Sequence, residues 1–562
     1  MTSTKTIGVG GGNVADELAN LRDMTGNVKP ISRQEFADRI ENACRLMRKN
    51  NIKAIYLNAG TNLYYFTGTR WGASERMVGA ILTDKQELHY IAPAFEISTL
   101  EGYMFIDGEV HGWQEHESPY QLFGETLMSL GIKSGAIGLD ESSPFFISDG
   151  LQQAHPQYNY VSAKPVTAGC RMRKSSAELA LLQRAKDMTL QVHKAAAKIL
   201  YKGISTQEVC DFIHQAHRAV GAPKGSYFCI VLFGEDTAYP HGVSNPKALD
   251  DNDMVLIDTG CQLHGYNSDI TRTYVFGSPS ERDKQVWNHE KASQAAGFEA
   301  AKLGAACGSV DDAARGYLIE QGYGPGYNTP GLPHRTGHGI GLDIHEWPYL
   351  VSSDQTPLDV GMCFSNEPMI SIPGEFGIRL EDHFYMTANG PKWFTDHRTP
   401  LKTRSDMAVN SVKWQSSSLE ELSTGELFDY LKLRQDVFVV EQTCAYPDID
   451  AKDKLATHLL AWQGDELIAC SRILPAGVSY NHPSIGRITT AINQRGTGLG
   501  KELMARSIEL CLARYPERSI EIGAQHRLEK FYQGFGFETV SDVYLEDGIP
   551  HIDMLRTCGT PS

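Results

Sequence analysis

Five residues between positions 258 and 381 are of the kinds that bind metal ions, and each lies in its own short segment. They are four carboxylates and one imidazole, Asp258, Asp269, His338, Glu367 and Glu381. This hard, oxygen-rich set suits two divalent ions such as Mn²⁺, Co²⁺ or Zn²⁺, bridged by carboxylate and water. Two ions roughly 3.5–4 Å apart activate a shared water and polarise a carbonyl. The five residues are therefore predicted to form one dinuclear site that hydrolyses a substrate.

Length and composition limit the remaining possibilities. The chain has 562 residues, which is too long for one core and suggests about three or four units. The formal net charge of -16 argues against a non-specific nucleic-acid binder. The sequence has no apolar run long enough to span a membrane and no secretory signal at its start. Its 11 cysteines include no Cys-x-x-Cys pair, which predicts reduced thiols in a cytoplasmic protein.

Composition and periodicity divide the chain into segments of mixed α/β and α+β character. Residues 1–31 are predicted to be an N-terminal extension, with a flexible tail at the glycine run 8–12. Residues 32–165 form an α/β unit, and residues 166–405 carry all five candidate ligands. A linker is predicted at 406–418, and a further α/β domain is predicted at 411–562.

Several elements are predicted from local patterns. A helix begins after a cap at Ser32, and a long helix extends from Ser175 to Leu200. Asp258 and Asp269 flank a predicted hairpin turn at His264-Gly265, which would bring two carboxylates to one end of a sheet. Residues 427–440 are predicted to be mixed helix and strand.

Residues 30–400 resemble the pita-bread metallopeptidases, in the branch that contains aminopeptidase P and prolidase. That family uses the positions that match the five residues as ligands of a dinuclear centre. All five ligand types are present, so the metal-free relative creatinase is a poorer model. The block Gly337-His338-Gly339-Ile340-Gly341 also resembles methionine aminopeptidases, but those enzymes generally lack the N-terminal α/β unit. The resemblance implies a creatinase-like N-terminal domain, a pita-bread catalytic domain, Mn²⁺ as the first choice of metal, and a homodimer.

Chemistry and strand spacing predict roles for Glu367 and Arg379, and the resemblance implies roles for three further histidines. Glu367 is expected to hold the attacking water and take its proton. His241, His334 and His345 are expected to line the pocket, bind the scissile carbonyl and carboxylate, and help protonate the leaving proline nitrogen. Arg379 is expected to share a strand face with Glu381 and to hold a carboxylate. The implied substrates are proline-containing di- or oligopeptides, and the choice between prolidase and aminopeptidase P stays open.

The C-terminal segment contains a second motif, a glycine-rich turn between a strand at 485–490 and a helix from Lys501. Backbone N–H groups in such a turn form a cradle for phosphate. The turn and the block at 531–537 resemble the GNAT acetyltransferases, in particular the small ElaA-like branch. The resemblance implies acetyl-CoA, an unidentified amine acceptor, and Tyr532 as the acid that protonates the thiolate. The predicted cofactor-binding residues are Ile488, Thr490, Arg495, Gly496, Thr497, Gly498, Leu499, Gly500 and Lys501.

Alternatives remain for both halves. The first half could hydrolyse another small amide-like substrate on the same fold, or bind peptide without turnover. The intact ligand set with His241, His334 and His345 favours Xaa-Pro cleavage. The C-terminal module could bind CoA as a scaffold without transferase activity.

Overall fold

The computed structural model describes residues 9–394, 412–441, 447–463, 466–491, 494, 498–546 and 548–558. Contacts divide the chain into two compact units, Met1–Ser405 and Asp406–Ser562. The cysteines of the described residues form no disulfide. Within the same residues, no helix has the length and apolarity that a membrane span needs.

The first unit begins with a short docked helix rather than a flexible tail. Helix α1 (Val14–Asn20) packs on the later helices of the unit, and Leu18 contacts the main apolar core. The backbone N–H groups of Gly10 and Gly12 donate to the carbonyls of Ala197 and Lys198. The prediction of a flexible tail is therefore wrong for the described residues from position 9 onward, because backbone hydrogen bonds and apolar contacts hold them.

A six-stranded sheet follows, with the order β4-β3-β2-β1-β5-β6. Its strands are β1 (Ile52–Asn58), β2 (Gly79–Thr83), β3 (Leu88–Pro93), β4 (Glu109–Trp113), β5 (Gly135–Leu139) and β6 (Tyr158–Ser162). Its helices are α2 (Arg33–Lys49), α3 (Thr61–Thr67), α4 (Ile97–Tyr103), α5 (Pro119–Ser129), α6 (Phe145–Ala154) and α7 (Lys164–Arg171). Ser32 caps α2 as the sequence predicts. Successive residues of β1 pack into two different apolar cores. Ile55 and Leu57 belong to one core, and Ala54 and Tyr56 belong to the other, so both faces of the sheet are buried.

The rest of the first unit is built from long helices and antiparallel strands. The helices are α8 (Ser176–Lys198), α9 (Thr206–Ala219), α10 (Glu281–Ala300) and α11 (Gly308–Glu320). The strands are β7 (Ser226–Phe233), β8 (Met254–Leu263), β9 (Tyr266–Asn267), β10 (Ile270–Val275), β11 (Gly337–Gly339), β12 (Glu346–Leu350), β13 (Cys363–Asn366), β14 (Met369–Ile372), β15 (Phe376–Arg379), β16 (Asp382–Thr387) and β17 (Gly390–Trp393). They form sheets of order β10-β8-β7, with β9 beside β8, and β12-β11-β13-β16-β17, together with the pair β14-β15. A capping box of Ser175 and Glu178 begins α8, the long helix that the periodicity predicts.

The predicted hairpin turn at His264-Gly265 is confirmed. Leu263 pairs with Tyr266, and both turn residues have positive φ, 51° at His264 and 92° at Gly265. Two central residues with positive φ match the right-handed twist of paired strands, and glycine adopts this conformation without steric cost.

Buried ion pairs join the six-stranded sheet domain to the helices and strands that follow. Arg171, at the end of α7, donates to Asn62 Oδ1 at 2.9 Å and to the carboxylates of Asp343 and Glu346 at 2.6 and 2.5 Å. Lys174 also contacts Glu346. The predicted domain boundary at residue 165 therefore falls inside α7, about two turns before Arg171.

The second unit is one sheet of order β18-β19-β20-β21-β22-β25-β23, with β24 beside β25. Its strands are β18 (Lys413–Ser417), β19 (Thr457–Gln463), β20 (Glu466–Leu474), β21 (Ser484–Thr490), β22 (Ile520–Gln525), β23 (Glu538–Thr539), β24 (Tyr544–Glu546) and β25 (Ile549–Arg556). Its helices are α12 (Thr424–Arg434), α13 (Leu499–Arg514) and α14 (Glu529–Gln533). The prediction of mixed helix and strand at 427–440 is wrong, because α12 continues as a π-helix at Gln435–Glu441.

A network of charged side chains surrounds Arg434, the last residue of α12. Arg434 is fully buried and donates to Asp448 at 2.8 Å and to Asp453 at 2.7 Å. Arg472 pairs with Asp450 and Asp453, and Arg487 pairs with Asp448. Three guanidinium groups thus face three carboxylates.

Candidate functional site

Strand pairing positions the first two candidate ligands. Asp258 lies in the middle of β8, opposite Thr271 of β10, and Asp269 immediately precedes β10. The stretch 254–257 before Asp258 is buried throughout, which fixes the register of β8. The hairpin therefore returns Asp269 towards Asp258, and both side chains are buried.

The other three candidates lie in or next to strands of the sheet β12-β11-β13-β16-β17. His338 is the central residue of β11, Glu367 follows β13, and Glu381 lies between β15 and β16. His338 Nε2 lies 3.0 Å from Glu367 Oε1 and 3.7 Å from Asp269 Oδ2. His338, Glu367 and Glu381 each present one ligand atom within 4.8 Å of the others.

Hydrogen bonds orient these side chains towards one another. His338 Nδ1 lies 3.1 Å from the carbonyl oxygen of Gly339, so Nδ1 carries a proton. Nε2 faces the carboxylates, as a donor when the ring is protonated and through its lone pair when the ring is neutral. Ser365 donates to Glu367 at 3.1 Å, and Thr271 donates to Glu381 at 2.8 Å. The ligand atoms are thus held in place by neighbours that are not themselves candidate ligands.

The site carries more buried negative charge than its own residues neutralise. Burial and the charges of Asp258 and Glu367 raise the pKa of Asp269 well above its ordinary value. Burial, followed by Asp269, does the same for the pKa of Glu381. Burial also raises the pKa of Glu367, but the hydrogen bond and charge of His338 outweigh it and the net pKa is low. A carboxylate cluster of this kind is stabilised by cations.

Unpartnered oxygen atoms provide a test of whether metal ions fit. Asp258 Oδ1, Asp269 Oδ1 and Glu381 Oε1 are buried and have no hydrogen-bond partner among the described residues. Buried polar atoms in proteins are otherwise almost always paired. Oxygen donors from four carboxylates with one imidazole match divalent ions such as Mn²⁺, so the residues present fit a metal centre.

Arg379 is positioned by Asp258 rather than by Glu381. Its Nη2 donates to Asp258 Oδ2 at 2.5 Å, and its Nε donates to Thr271 Oγ1 at 3.1 Å. The expectation that Arg379 and Glu381 share a strand face is wrong, because β15 ends at Arg379 and β16 begins at Asp382. The buried guanidinium nevertheless holds a carboxylate of the cluster.

The three further histidines differ in environment. His334 Nδ1 lies 2.7 Å from the carbonyl oxygen of Arg335, and its buried Nε2 has no partner among the described residues. Neutral His334 therefore presents an acceptor, and burial lowers its pKa. His345 is exposed, with its ring centroid 4.0 Å from that of His338. Desolvation, followed by the charge of His338, lowers the pKa of His345 to about 4. His241 lies exposed in the loop after residue 239.

Sequence reasoning assigned no role to two buried side chains beside the cluster. His383 Nε2 lies 3.6 Å from Glu381 Oε1, and His383 forms a ligand-type group with Asp269 and Glu381. Lys186 of α8 is completely buried, and its Nζ lies 4.8 Å from the ring centre of Phe394. Burial lowers the pKa of Lys186 to about 8, and Asp269 and Glu381 oppose this shift. The proximity of His383 to Glu381 in sequence was a usable indication, whereas nothing local distinguishes Lys186 from other lysines of an amphipathic helix.

The predicted cofactor site of the second unit lies partly within the described residues. Arg495, Gly496 and Thr497 lie outside them. Gly498 has φ 91° and caps α13, which begins at Leu499 and includes Gly500 and Lys501. A Cβ at Gly500 would lie 3.9 Å from Thr490 Cγ2, so the helix start lies against the end of β21.

A cavity of about 660 Å³ opens beside β21 in this unit. Ile488, Thr490 and Tyr532 are among its lining residues. Tyr532 is buried, and burial raises its pKa to about 12, so its hydroxyl is a proton donor at neutral pH. Strand β21 and Tyr532 thus line one cavity, and the start of α13 lies at the end of the same strand.

The fold and the buried carboxylate cluster define a metallohydrolase, joined to a second α/β unit with its own cavity. Comparison with known families agrees. Residues 180–388 match metallopeptidase family M24, residues 39–173 match the creatinase/prolidase N-terminal domain, and residues 431–558 match an acetyltransferase (GNAT) domain.

Individual relatives match the first unit over nearly their whole length. The Xaa-Pro dipeptidase of Pyrococcus horikoshii is 31% identical over 362 residues, covering 64% of this chain and 97% of the relative. The crystal structure of the dipeptidase PepE from Mycobacterium ulcerans matches with a TM-score of 0.60 and 30% identity, covering 66% of this chain and 98% of that one. The prolidase from Thermococcus sibiricus matches with a TM-score of 0.59 and 29% identity, covering 64% and 97%.

The chain belongs to metallopeptidase family M24, with a creatinase/prolidase N-terminal domain before the catalytic domain and a GNAT acetyltransferase domain after it. The predicted pita-bread fold, its creatinase-like N-terminal domain and the C-terminal GNAT domain are confirmed.

Proposed function

We propose that the first unit hydrolyses Xaa-Pro dipeptides with two divalent metal ions, of which Mn²⁺ is the first choice and Co²⁺ or Zn²⁺ the alternatives. The proposed ligands are Asp258, Asp269, His338, Glu367 and Glu381. The observation that carries the proposal is the convergence of four carboxylates on one imidazole nitrogen, three of them buried and each with an unpartnered oxygen. The relatives include an Xaa-Pro dipeptidase and a prolidase, which supports the substrate class.

Metal ions bound here would supply Lewis acidity and lower the pKa of a bound water. Glu367 would accept the proton of the attacking water, since its carboxylate is ionised at neutral pH. Arg379 would keep Asp258 oriented through their 2.5 Å hydrogen bond, and Thr271 would do the same for Glu381. These contacts fix the ligand geometry before a substrate enters.

The histidines would act on the substrate side. When the scissile C–N bond breaks, its electron pair stays on the proline nitrogen, so the leaving proline must gain a proton from a donor. His241 and His345 are exposed and accessible to substrate, and we assign proton delivery and carbonyl binding to them. The Nδ1–H of neutral His334 would donate to the carbonyl oxygen of Arg335, and its Nε2 would then accept a hydrogen bond from the substrate.

The test compares proline release from Xaa-Pro dipeptides and from Xaa-Pro-Yaa tripeptides by Mn²⁺-loaded full-length protein. Dipeptide turnover that falls about 10²–10⁴-fold in Glu367→Ala is the expected result. Glu320→Ala, at an exposed glutamate of α11, is the matched control and should keep wild-type turnover. Tripeptide turnover alone would assign an aminopeptidase P activity, and no turnover of either by metal-loaded protein would overturn the Xaa-Pro proposal.

For the second unit we propose acetyl transfer from acetyl-CoA to an amine. The supporting observation is a cavity lined by residues of β21 and by buried Tyr532, with the start of α13 against the end of β21. Backbone N–H groups at the start of α13, a helix of 16 residues, would bind the pyrophosphate. Tyr532 would protonate the departing thiolate, because its phenol keeps its proton at neutral pH.

This second proposal is tested by free thiol released from acetyl-CoA with a panel of amines and peptides. Tyr532→Phe should lose about 10²-fold or more in turnover while CoA still binds. Tyr515→Phe changes a tyrosine that packs against the apolar core of this unit and should leave turnover intact. CoA binding without turnover in wild-type protein would favour a scaffold role instead.

We also propose a cytoplasmic homodimer that binds neither nucleic acid nor membrane. The acidic composition and the resemblance of the first unit support this proposal. Light scattering of the full-length chain at micromolar concentration tests the dimer, and a monomer mass would contradict it.

A further inference from the structure

The N-terminal sheet carries a second group of metal-ligand side chains, remote in sequence from the carboxylate cluster. His89 lies in β3, and Glu109 and His111 lie in the edge strand β4. The strands are parallel, with His89 registered against Glu109 and Ile91 against His111. Since side chains two apart share a face of a strand, the register places all three on the same face of the sheet.

Their ligand atoms are close enough to share one ion. His89 Nδ1 lies 3.0 Å from His111 Nε2 and 3.6 Å from Glu109 Oε2, and His111 Nε2 lies 3.9 Å from Glu109 Oε1. Ligands of tetrahedral zinc, at about 2.0–2.2 Å from the metal, are about 3.3 Å apart. The three separations bracket this value, so an ion could bind with small side-chain adjustments.

The two histidines of the group are largely buried, and the glutamate faces solvent. The side chains of His89 and His111 are 10% and 19% exposed, and that of Glu109 is 68% exposed. Ile91 and Trp113, on the same sheet face, belong to the apolar core next to the group. Two imidazoles are thus anchored beside a core, and a carboxylate can close over an ion from the solvent side.

We propose that His89, Glu109 and His111 bind one divalent ion of the zinc type, with water in the fourth position. Two imidazoles and one carboxylate favour Zn²⁺, Ni²⁺ or Cu²⁺, whereas the oxygen-rich cluster favours Mn²⁺. The ion would join the edge strand β4 to β3. The site requires none of the residues assigned to peptide hydrolysis, so it can be tested independently of that function.

Zinc stoichiometry of the full-length protein tests the site. Mn²⁺-loaded protein is equilibrated with Zn²⁺, freed of unbound metal and analysed for both elements. The double variant His89→Ala/His111→Ala should retain one zinc per chain fewer than wild type, with unchanged manganese and unchanged dipeptide turnover. His116→Ala, at an exposed histidine of the same domain, should match wild type. Equal zinc in all three proteins would overturn the proposal.

A milder variant covers the case in which the double variant fails to fold. Glu109→Gln changes an exposed side chain, and should weaken zinc binding at this site at least tenfold without altering the circular dichroism of the metal-free protein. X-ray absorption of zinc added to the Mn²⁺-loaded protein should show a two-imidazole environment that is lost in the double variant or, if that variant does not fold, in His111→Ala. Unchanged affinity in Glu109→Gln together with a spectrum free of that contribution would overturn the site.

Discussion

The two units each bury a cluster of charged side chains, and the clusters differ in charge balance. In the second unit, Arg434, Arg472 and Arg487 face Asp448, Asp450 and Asp453. In the first unit, Asp258, Asp269, Glu367 and Glu381 face Arg379 and the histidines around them, with Arg379 bonded to Asp258. Removing a charge from water costs free energy that an opposite charge must offset. The balanced cluster therefore supports the fold, and the unbalanced one is suited to a bound cation.

The largest expected effect removes a cation from the balanced cluster. Arg434→Met leaves Asp448 and Asp453 buried without their main partner, and the free energy of unfolding of the second unit should fall by about 3–5 kcal/mol. Denaturant unfolding followed by hydrogen exchange in residues 412–558 measures the loss. Arg518→Met, at an exposed arginine, is the control and should change little. A loss below about 1 kcal/mol in Arg434→Met would mean that the network is not structural.

Metal removal should affect only the unbalanced cluster. An ion present at 100 times its Kd stabilises the folded state by about 2.7 kcal/mol, so a chelator should lower the unfolding free energy of the first unit by about that amount. The second unit should be unchanged. Hydrogen exchange measured separately for peptides from the two units distinguishes these responses. Equal destabilisation of both units would contradict the assignment of the metal ions to the first unit.

Neutralising one carboxylate should have opposite effects in the two clusters. In metal-free protein, Asp269→Asn removes repulsion from Asp258 and Glu367 and should raise the unfolding free energy by about 1 kcal/mol. Asp453→Asn removes a partner of Arg434 and Arg472 and should lower it. Chelator-treated variants are compared by denaturant unfolding. A decrease in both would show that Asp269 is stabilised by something other than a metal ion.

The smallest expected effect is a dependence on acid pH in the second unit. Burial raises the pKa of Asp453, but Arg434 and Arg472 outweigh it and lower the net pKa below the ordinary value of 3.8. A carboxyl with a depressed pKa in the folded state stabilises fully above the unfolded value, and this stability is lost as pH falls through the folded value. Unfolding free energy should therefore decline below about pH 4, and this slope should be weaker in Arg434→Met. Identical slopes in the two proteins would assign the acid sensitivity elsewhere.

Local patterns predicted more of the fold than of the residues that support the site. The cap at Ser32, the helix from Ser175 and the turn at His264-Gly265 depend on neighbouring residues, and all three are present. The end of β15 at Arg379 and the π-helix after Arg434 depend on packing against distant strands, and both predictions were wrong.

The same distinction applies to the candidate site. Asp258, Asp269, His338, Glu367 and Glu381 lie in recognisable motifs, and the structure places them together, although their ligand roles stay a prediction. Lys186 and His383 reach the cluster from a helix face and from a strand beside Glu381, and no motif marks them. Tertiary contacts, which a single sequence does not reveal, decide which buried side chains adjoin a cluster.

The ion pairs of Arg171 have a consequence for recombining this protein with its relatives. The segment that ends in His345 and Glu346 is held by Arg171 and Lys174, and Arg171 also binds Asn62 of the N-terminal sheet domain. Thr61 adds a hydrogen bond to Asp343 at 2.6 Å. A chimaera that exchanges the N-terminal domain at residue 165 would have to conserve Thr61 and Asn62, or the loop bearing His345 would lose part of its anchor. The two domains are therefore compatible only when a small set of polar residues matches across their contact. Exchanges made far from the metal ligands would change how firmly the loop of the proposed substrate pocket is held.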